Sequence, residues 1–225
     1  MSAEAAGVAR NGFVALDLGN LSVALTADAL DNLGERQQVM DSTIRPIRPG
    51  TRLVGWARTI DVRATTVVPE EPYVGEMAAI ASLMPGDVPV YRVDVAVEAA
   101  LFGELFCLAA RAQGAVGAVL DGPVRDVRQM SELGYPVFAN GVSPYDTRGR
   151  AEVVANDVPV VCGGVEVATG DLIVADDDGV VVLPTRYVAS VLENVGVKMT
   201  GERGARADLL KGAKVHDVWE KWRVF

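Results

Sequence analysis

The order of elements between Glu104 and Ala139 constrains the fold most. Glu104 to Ala112 has helical spacing and Gly114 ends it. Ala115 to Leu120 is an apolar run that reads as a buried strand. Val127 to Leu133 reads as a second helix, and Pro136 to Ala139 as a second strand. Strand, helix and strand in this order predict parallel strands joined by a right-handed crossover. Such sheets place their ligand crevice at the carboxyl ends of the strands.

The rest of the chain is read the same way. Ser22 is a plausible N-cap for a helix running to Leu33 and stopped by Gly34. Leu53 to Ile60 predicts a strand entered from the Pro49-Gly50 turn. Gly75 to Met84 predicts a helix, and Pro85-Gly86-Asp87 a turn into a strand at Val88 to Val93. Val158 to Cys162, Val165 to Val167, Leu172 to Ala175 and Val180 to Leu183 are short strands punctuated by glycine. They suggest a meander or a small barrel-like sheet joined to the parallel part. Thr185 is read as the cap of a helix towards Lys198, and Arg203 to Phe225 as a helical tail. With no Pro/Ser/Gly-rich linker and no repeat, residues 1–225 are read as one α/β domain with a mixed sheet in a layered α/β/α arrangement.

Composition narrows the function. Lys and Arg number 21 against 30 Asp and Glu, a net charge of −9, which argues against a phosphate-binding surface and so against nucleic acid as a partner. Cys107 and Cys162 lie in apolar contexts without metal-site spacing and read as reduced, buried thiols. The start, MSAEAAGVARNG, lacks a leader pattern, and no apolar run approaches the ~20 residues of a spanning helix. The expectation is a soluble, cytoplasmic protein with no membrane partner. The single histidine, His216, reads as a surface residue, which excludes histidine-rich zinc sites and disfavours a Ser-His-Asp mechanism.

The charged group after the central strand is the main site candidate. Asp121-Gly122-Pro123-Val124-Arg125-Asp126 sets two acids and a guanidinium around what reads as a Gly-Pro turn. Oxygen-rich acids suit Mg²⁺ or Mn²⁺, and arginine's fork suits a carboxylate. Gly103-Glu104-Leu105-Phe106 opens a helix whose free N–H groups can hold an anion. Arg148 and Arg150 could assist, or be solvated loop residues. Asp176-Asp177-Asp178-Gly179 resembles a calcium loop, but Tyr187 stands where an EF-hand needs glutamate, so a hairpin turn is the better reading. Trp219, Trp222 and Phe225, at helical spacing, read as packing residues.

These motifs together resemble the RraA-like family, which contains 4-hydroxy-4-methyl-2-oxoglutarate aldolases with oxaloacetate decarboxylase activity and the regulator of ribonuclease activity A. The likeness rests on three segments. They are G-E-L-x-x-x-A-A from Gly103, G-x-x-G-x-V-x-D-G-x-x-R-D from Gly114 to Asp126, and P-V-F-A-x-G from Pro136. Asp28-Ala29-Leu30 with Gly34, Arg45 to Gly50, and Gly170-Asp171 leading to Val180 add to it, so residues 20–190 are covered, with a helical extension over 185–225. The resemblance implies a unit like the phosphohistidine swivelling domain, assembled as homotrimers or hexamers with sites at subunit boundaries. It implies that Asp126 ligates Mg²⁺ or Mn²⁺ and that Arg125 contacts a small 2-oxo acid. The family's aldolases carry an acid, usually aspartate, at the position of Glu104, which joins the metal site here. An acid from a neighbouring subunit is also implied; Glu193 and Glu202 are left unassigned to that role. The activity implied is C–C cleavage of a 2-oxo acid through a pyruvate enolate. The alternative is a non-catalytic regulator that binds a ribonuclease or helicase. The motif holds no lysine, which speaks against a Schiff base.

Overall fold

A computed structural model describes residues 18–225; the amino-terminal stretch read above for a leader lies outside them. In chain order the helices and strands are α1 (Val23–Asn32), β1 (Arg45–Pro46), β2 (Leu53–Ala64), α2 (Val74–Ala81), β3 (Asp87–Val93), α3 (Glu104–Ala112), β4 (Ala118–Val124) and α4 (Val127–Leu133). Then follow β5 (Val137–Val142), β6 (Ala151–Asn156), β7 (Val160–Cys162), β8 (Val165–Val167), β9 (Leu172–Asp176), β10 (Gly179–Leu183), α5 (Val188–Leu210) and α6 (Val215–Trp222).

The sheet runs β1-β5-β4-β3-β2-β9-β10, with β6 also on β2. Strands β2 to β5 are parallel neighbours, linked through α2, α3 and α4; the outer pairings are antiparallel. The long β2 serves two partners on one edge: Leu53 to Trp56 pair with β9, and Ile60 to Ala64 with β6. The sheet curls until its ends nearly meet. Val39 bridges Val181 on β10, and Arg45 on β1 donates to the carbonyls of Asp177 and Asp178. The mixed α/β class follows the sequence reading; the barrel-like curl, expected of the short strands from Val158 to Leu183, instead involves the whole main sheet, and β7 and β8 pair apart as a separate hairpin.

Alternation sorts the core. On β3, Val88 and Val90 point into the curled sheet with Val119, Phe138, Ile173 and Val182. Tyr91 and Val93 point outward, against Ile80, Cys107, Ala110 and Met130 of the three crossover helices. On the far side Val174, Val181 and Leu183 meet Leu30 of α1 and Val188, Val191 and Val195 of α5. Burial on both faces is why these strands read as near-continuous apolar runs.

Helices α3 and α4 and strand β8 have the bounds read from sequence. Ser22 caps α1, its Oγ accepting from the Leu25 amide at 3.3 Å. Three readings need correction. The central strand begins at Ala118, and the supposed Gly-Pro turn belongs to it. Its register on β5 shifts between Leu120 and Pro123, an irregularity of the kind at which strands admit proline. Thr185 does not cap a helix; it opens a short 3-10 turn and donates to the Gly170 carbonyl at 2.5 Å, and α5 then runs past Lys198 to Leu210. The tail is two helices: α6 folds back on α5, and Gly204 lies so close beneath the Trp222 ring that a Cβ there would come within 2.3 Å. Strands β1 and β6 had no sequence reading. No helix among the described residues is long and apolar enough to cross a membrane.

Candidate active site

The carboxyl end of β4 meets the amino end of α3. Residues 101–103 run alongside the strand end: Leu101 N–H donates to the Pro123 carbonyl, and Arg125 N–H to that of Phe102 at 3.0 Å. Asp126 then takes a left-handed backbone (φ 55°), uncommon outside glycine but more accessible to aspartate than to most residues. This turn brings its carboxylate over α3, where Oδ2 accepts the Glu104 amide at 3.1 Å. The same oxygen explains Gly103. A Cβ there would lie 2.6 Å from Asp126 Oδ2 and 3.0 Å from Arg125 Cγ.

Arg125 is held from the other side. Its Nη1 donates to Asp146 Oδ2 at 3.0 Å, and its Nε lies 3.9 Å from Asp126 Oδ2. Asp146 Oδ1 in turn accepts from the Tyr73 hydroxyl at 2.9 Å and the Arg148 amide at 2.8 Å. Partial burial pushes the Asp146 carboxyl up, but the Arg148 amide, the Tyr73 hydroxyl and Arg125 outweigh it, so the group sits below the ordinary 3.8. The hydrogen bond to Asp146, then burial and the negative charge, raise the Tyr73 phenol. These groups border a cleft of about 350 Å³, whose apolar wall includes Met77, Leu105 and Phe106. Leu105 is 77% exposed.

The cleft therefore gathers Gly103, Leu105, Phe106, Arg125 and Asp126. Glu104 takes part through its amide. Among the described residues no group of three or more His, Cys, Asp or Glu is arranged to hold a metal.

Asp121 belongs elsewhere: it accepts from Asn140 Nδ2 and from the Gly163 amide, both at 2.9 Å, and so ties β4 to β5 and to the β7–β8 turn. Arg150 donates to the Asp146 carbonyl and stacks on Tyr145, bracing the loop. Glu193 and Glu202 lie on α5, and His216 is exposed on α6. Trp219 packs near Phe225, and Trp222 donates to Asp208. Both cysteines are buried and free, and burial pushes the Cys107 thiol up to about 11. Tyr73 and Asp146 are the cleft residues that sequence reading missed. Asp146 lies in the 143–150 loop, where sequence reading places substrate specificity but singles out only Arg148 and Arg150, and nothing local marks Tyr73.

Residues 23–182 match the RraA-like family, described as Aldolase/RraA. A protein of Halalkalibacterium halodurans, provisionally named a 4-hydroxy-4-methyl-2-oxoglutarate aldolase, is 32% identical over 180 residues, 78% of this chain and 79% of that one. Among solved structures, an uncharacterized protein from Pseudomonas syringae pv. tomato superposes with a TM-score of 0.80 at 28% identity, covering 90% of each chain. Streptomyces coelicolor RraAS2, described as an unusual member of the RNase ES inhibitor RraA family, superposes with a TM-score of 0.75 at 29% identity, covering 84% of this chain and 93% of its own. The match over most of the chain, with the Gly103 and Arg125-Asp126 geometry behind it, means that this protein belongs to the RraA-like family.

Proposed function

We propose that the cleft is the active site of a divalent-metal-dependent lyase that cleaves a C–C bond of a 2-oxo acid, of the 4-hydroxy-4-methyl-2-oxoglutarate aldolase and oxaloacetate decarboxylase type. The observation that carries this reading is Arg125 anchored by one Nη beside a carboxylate that overhangs the amino end of α3. The Glu104 amide is taken by Asp126, which leaves the Leu105 and Phe106 amides at the helix end for a substrate carboxylate.

Asp126 offers the cleft the hard oxygen donor that a divalent cation takes. Asp126 and Asp146 line the cleft with Arg125, and a cation beside Asp126 would offset carboxylate charge that otherwise repels an anionic substrate. Asp126, with Glu104 beside it, would hold Mg²⁺ or Mn²⁺, which bind through few protein carboxylates and keep waters. The ion would supply Lewis-acid stabilisation of the developing oxyanion.

The chain's own residues do the rest. The amides at the head of α3 orient the carboxylate. Arg125 sets fixed positive charge where the enolate oxygen develops. Glu104 holds the water that takes the 4-hydroxyl proton as the C3–C4 bond breaks. In oxaloacetate the same enolate forms as CO₂ leaves, so one site serves both reactions. Exposed Leu105 and Met77 beside the cleft suit a homotrimer or hexamer in which a neighbouring subunit completes the rim.

The test is pyruvate release from both substrates with Mg²⁺ or Mn²⁺, repeated with chelator and with Arg125→Ala. Metal-dependent release that the substitution abolishes supports the lyase. Likeness to RraAS2 favours a second reading, a regulator that binds a ribonuclease. Absence of both release and metal binding would move the assignment there.

A further inference from the structure

The grip on Arg125 is built by a second layer outside the family motifs. Asp146 gives one oxygen to Arg125 and the other to Tyr73 and the Arg148 amide. The next residue, Thr147, donates its hydroxyl to Glu76 Oε1 at 3.1 Å. Glu76 is only 5% exposed and lies in the first turn of α2, just after Tyr73. The loop is thus pinned to α2 at two adjacent points, one for each of Asp146 and Thr147.

Two further features show that the arrangement is specified. Tyr73 holds a left-handed backbone (φ 66°), which a bulky residue keeps only where its surroundings over-determine it. Arg150 donates back to the Asp146 carbonyl at 3.1 Å, so the backbone carrying the carboxylate is also tied. An arginine side chain loses much rotamer freedom when it grips a ligand, and anchoring one nitrogen beforehand removes part of that cost.

We infer that Asp146, braced by Tyr73, is a positioning residue for Arg125: it fixes Nη1 and leaves the Nε–Nη2 edge for the substrate's 2-oxo oxygen, where the enolate charge develops. The identity of the substrate rests on the lyase reading above; the positioning role requires only that the cleft bind a planar 2-oxo carboxylate.

The experiment is a double-mutant cycle in the full-length protein. Wild type, Asp146→Asn, Tyr73→Phe, Arg125→Ala and the two doubles with Arg125→Ala are compared by calorimetric affinity for oxalate, a mimic of pyruvate enolate, in Mg²⁺. The kcat and KM for oxaloacetate are measured alongside, and circular dichroism verifies folding. Loss of a charge-assisted hydrogen bond predicts about tenfold weaker oxalate binding for Asp146→Asn, and about threefold for Tyr73→Phe. Asp146→Glu should recover part of the loss. In the Arg125→Ala background both effects should shrink below about twofold, because a residue acting through Arg125 has nothing left to position. Equal losses in both backgrounds would overturn the inference, as would a wild type that does not bind oxalate. If Asp146→Asn does not fold, the Tyr73→Phe cycle decides alone. A wild type that binds oxalate but releases no pyruvate defeats the lyase reading while the cycle still tests positioning.

Discussion

Two acid-rich stretches of this chain end β-strands, Asp176 to Asp178 on the β9–β10 hairpin and Asp121 to Asp126 at β4, and their oxygens are engaged differently. Asp176 takes the Val23 amide at the head of α1 and the Asp178 amide of its own turn. Asp177 takes the Gly50 amide with both oxygens, and Arg45 holds the neighbouring carbonyls. Those acids fasten a hairpin to α1 and to the Pro49-Gly50 turn. At β4, Asp121 behaves the same way, whereas Asp126 and Arg125 face a cleft. Acid density alone does not mark a site. What matters is whether the groups keep bonding capacity directed at open space.

The largest expected effect tests this contrast directly. Arg125→Ala should lower kcat/KM for pyruvate release about 10²- to 10³-fold, the usual cost of losing an oxyanion partner. Asp177→Ala should change it less than about twofold. Comparable losses in steady-state kinetics would erase the distinction between the two turns.

Gly103→Ala sharpens it next. The added methyl would meet Asp126 Oδ2 at 2.6 Å, so the carboxylate must move. A displacement of ~1 Å predicts about a 10²-fold loss of activity in a folded protein, read by kinetics with circular dichroism.

Asp121→Ala should do the reverse. It strands the Gly163 amide and the Asn140 side chain, which predicts a fall of about 1–3 kcal/mol in unfolding free energy by urea titration, with kcat unchanged.

The smallest effect concerns pH. Asp146 is held below 3.8 in the folded state, so its stabilising contribution is present above that value and fades as pH falls through the folded pKa. The stability gap between wild type and Asp146→Asn, followed by urea titration, should be steady from about pH 5 to 8 and narrow below about pH 4. A gap that widens in acid would contradict the depressed carboxyl.

Much of this was legible in the chain. Gly103, Gly114 and Gly134 bracket α3 and α4 so sharply that both helices were bounded correctly. The start of β4 was less clear, because Ala115 to Leu120 is apolar throughout and periodicity cannot say where a fully buried strand begins. Strand β6 was missed because it is half exposed and pairs only with the end of β2, without a clean alternation.

By itself the sequence determined most of the helices and strands, the parallel order of the central unit, and the placing of Arg125 and Asp126 at a strand's carboxyl end; all follow from local periodicity, caps and chain connectivity. Only the tertiary structure decided that Asp121 is a fastener, that Asp126 overhangs α3, and that Asp146 and Tyr73 complete the grip. Those outcomes rest on hydrogen bonds between residues 42, 22, 21 and 73 positions apart, and no local pattern encodes where a side chain points across such distances.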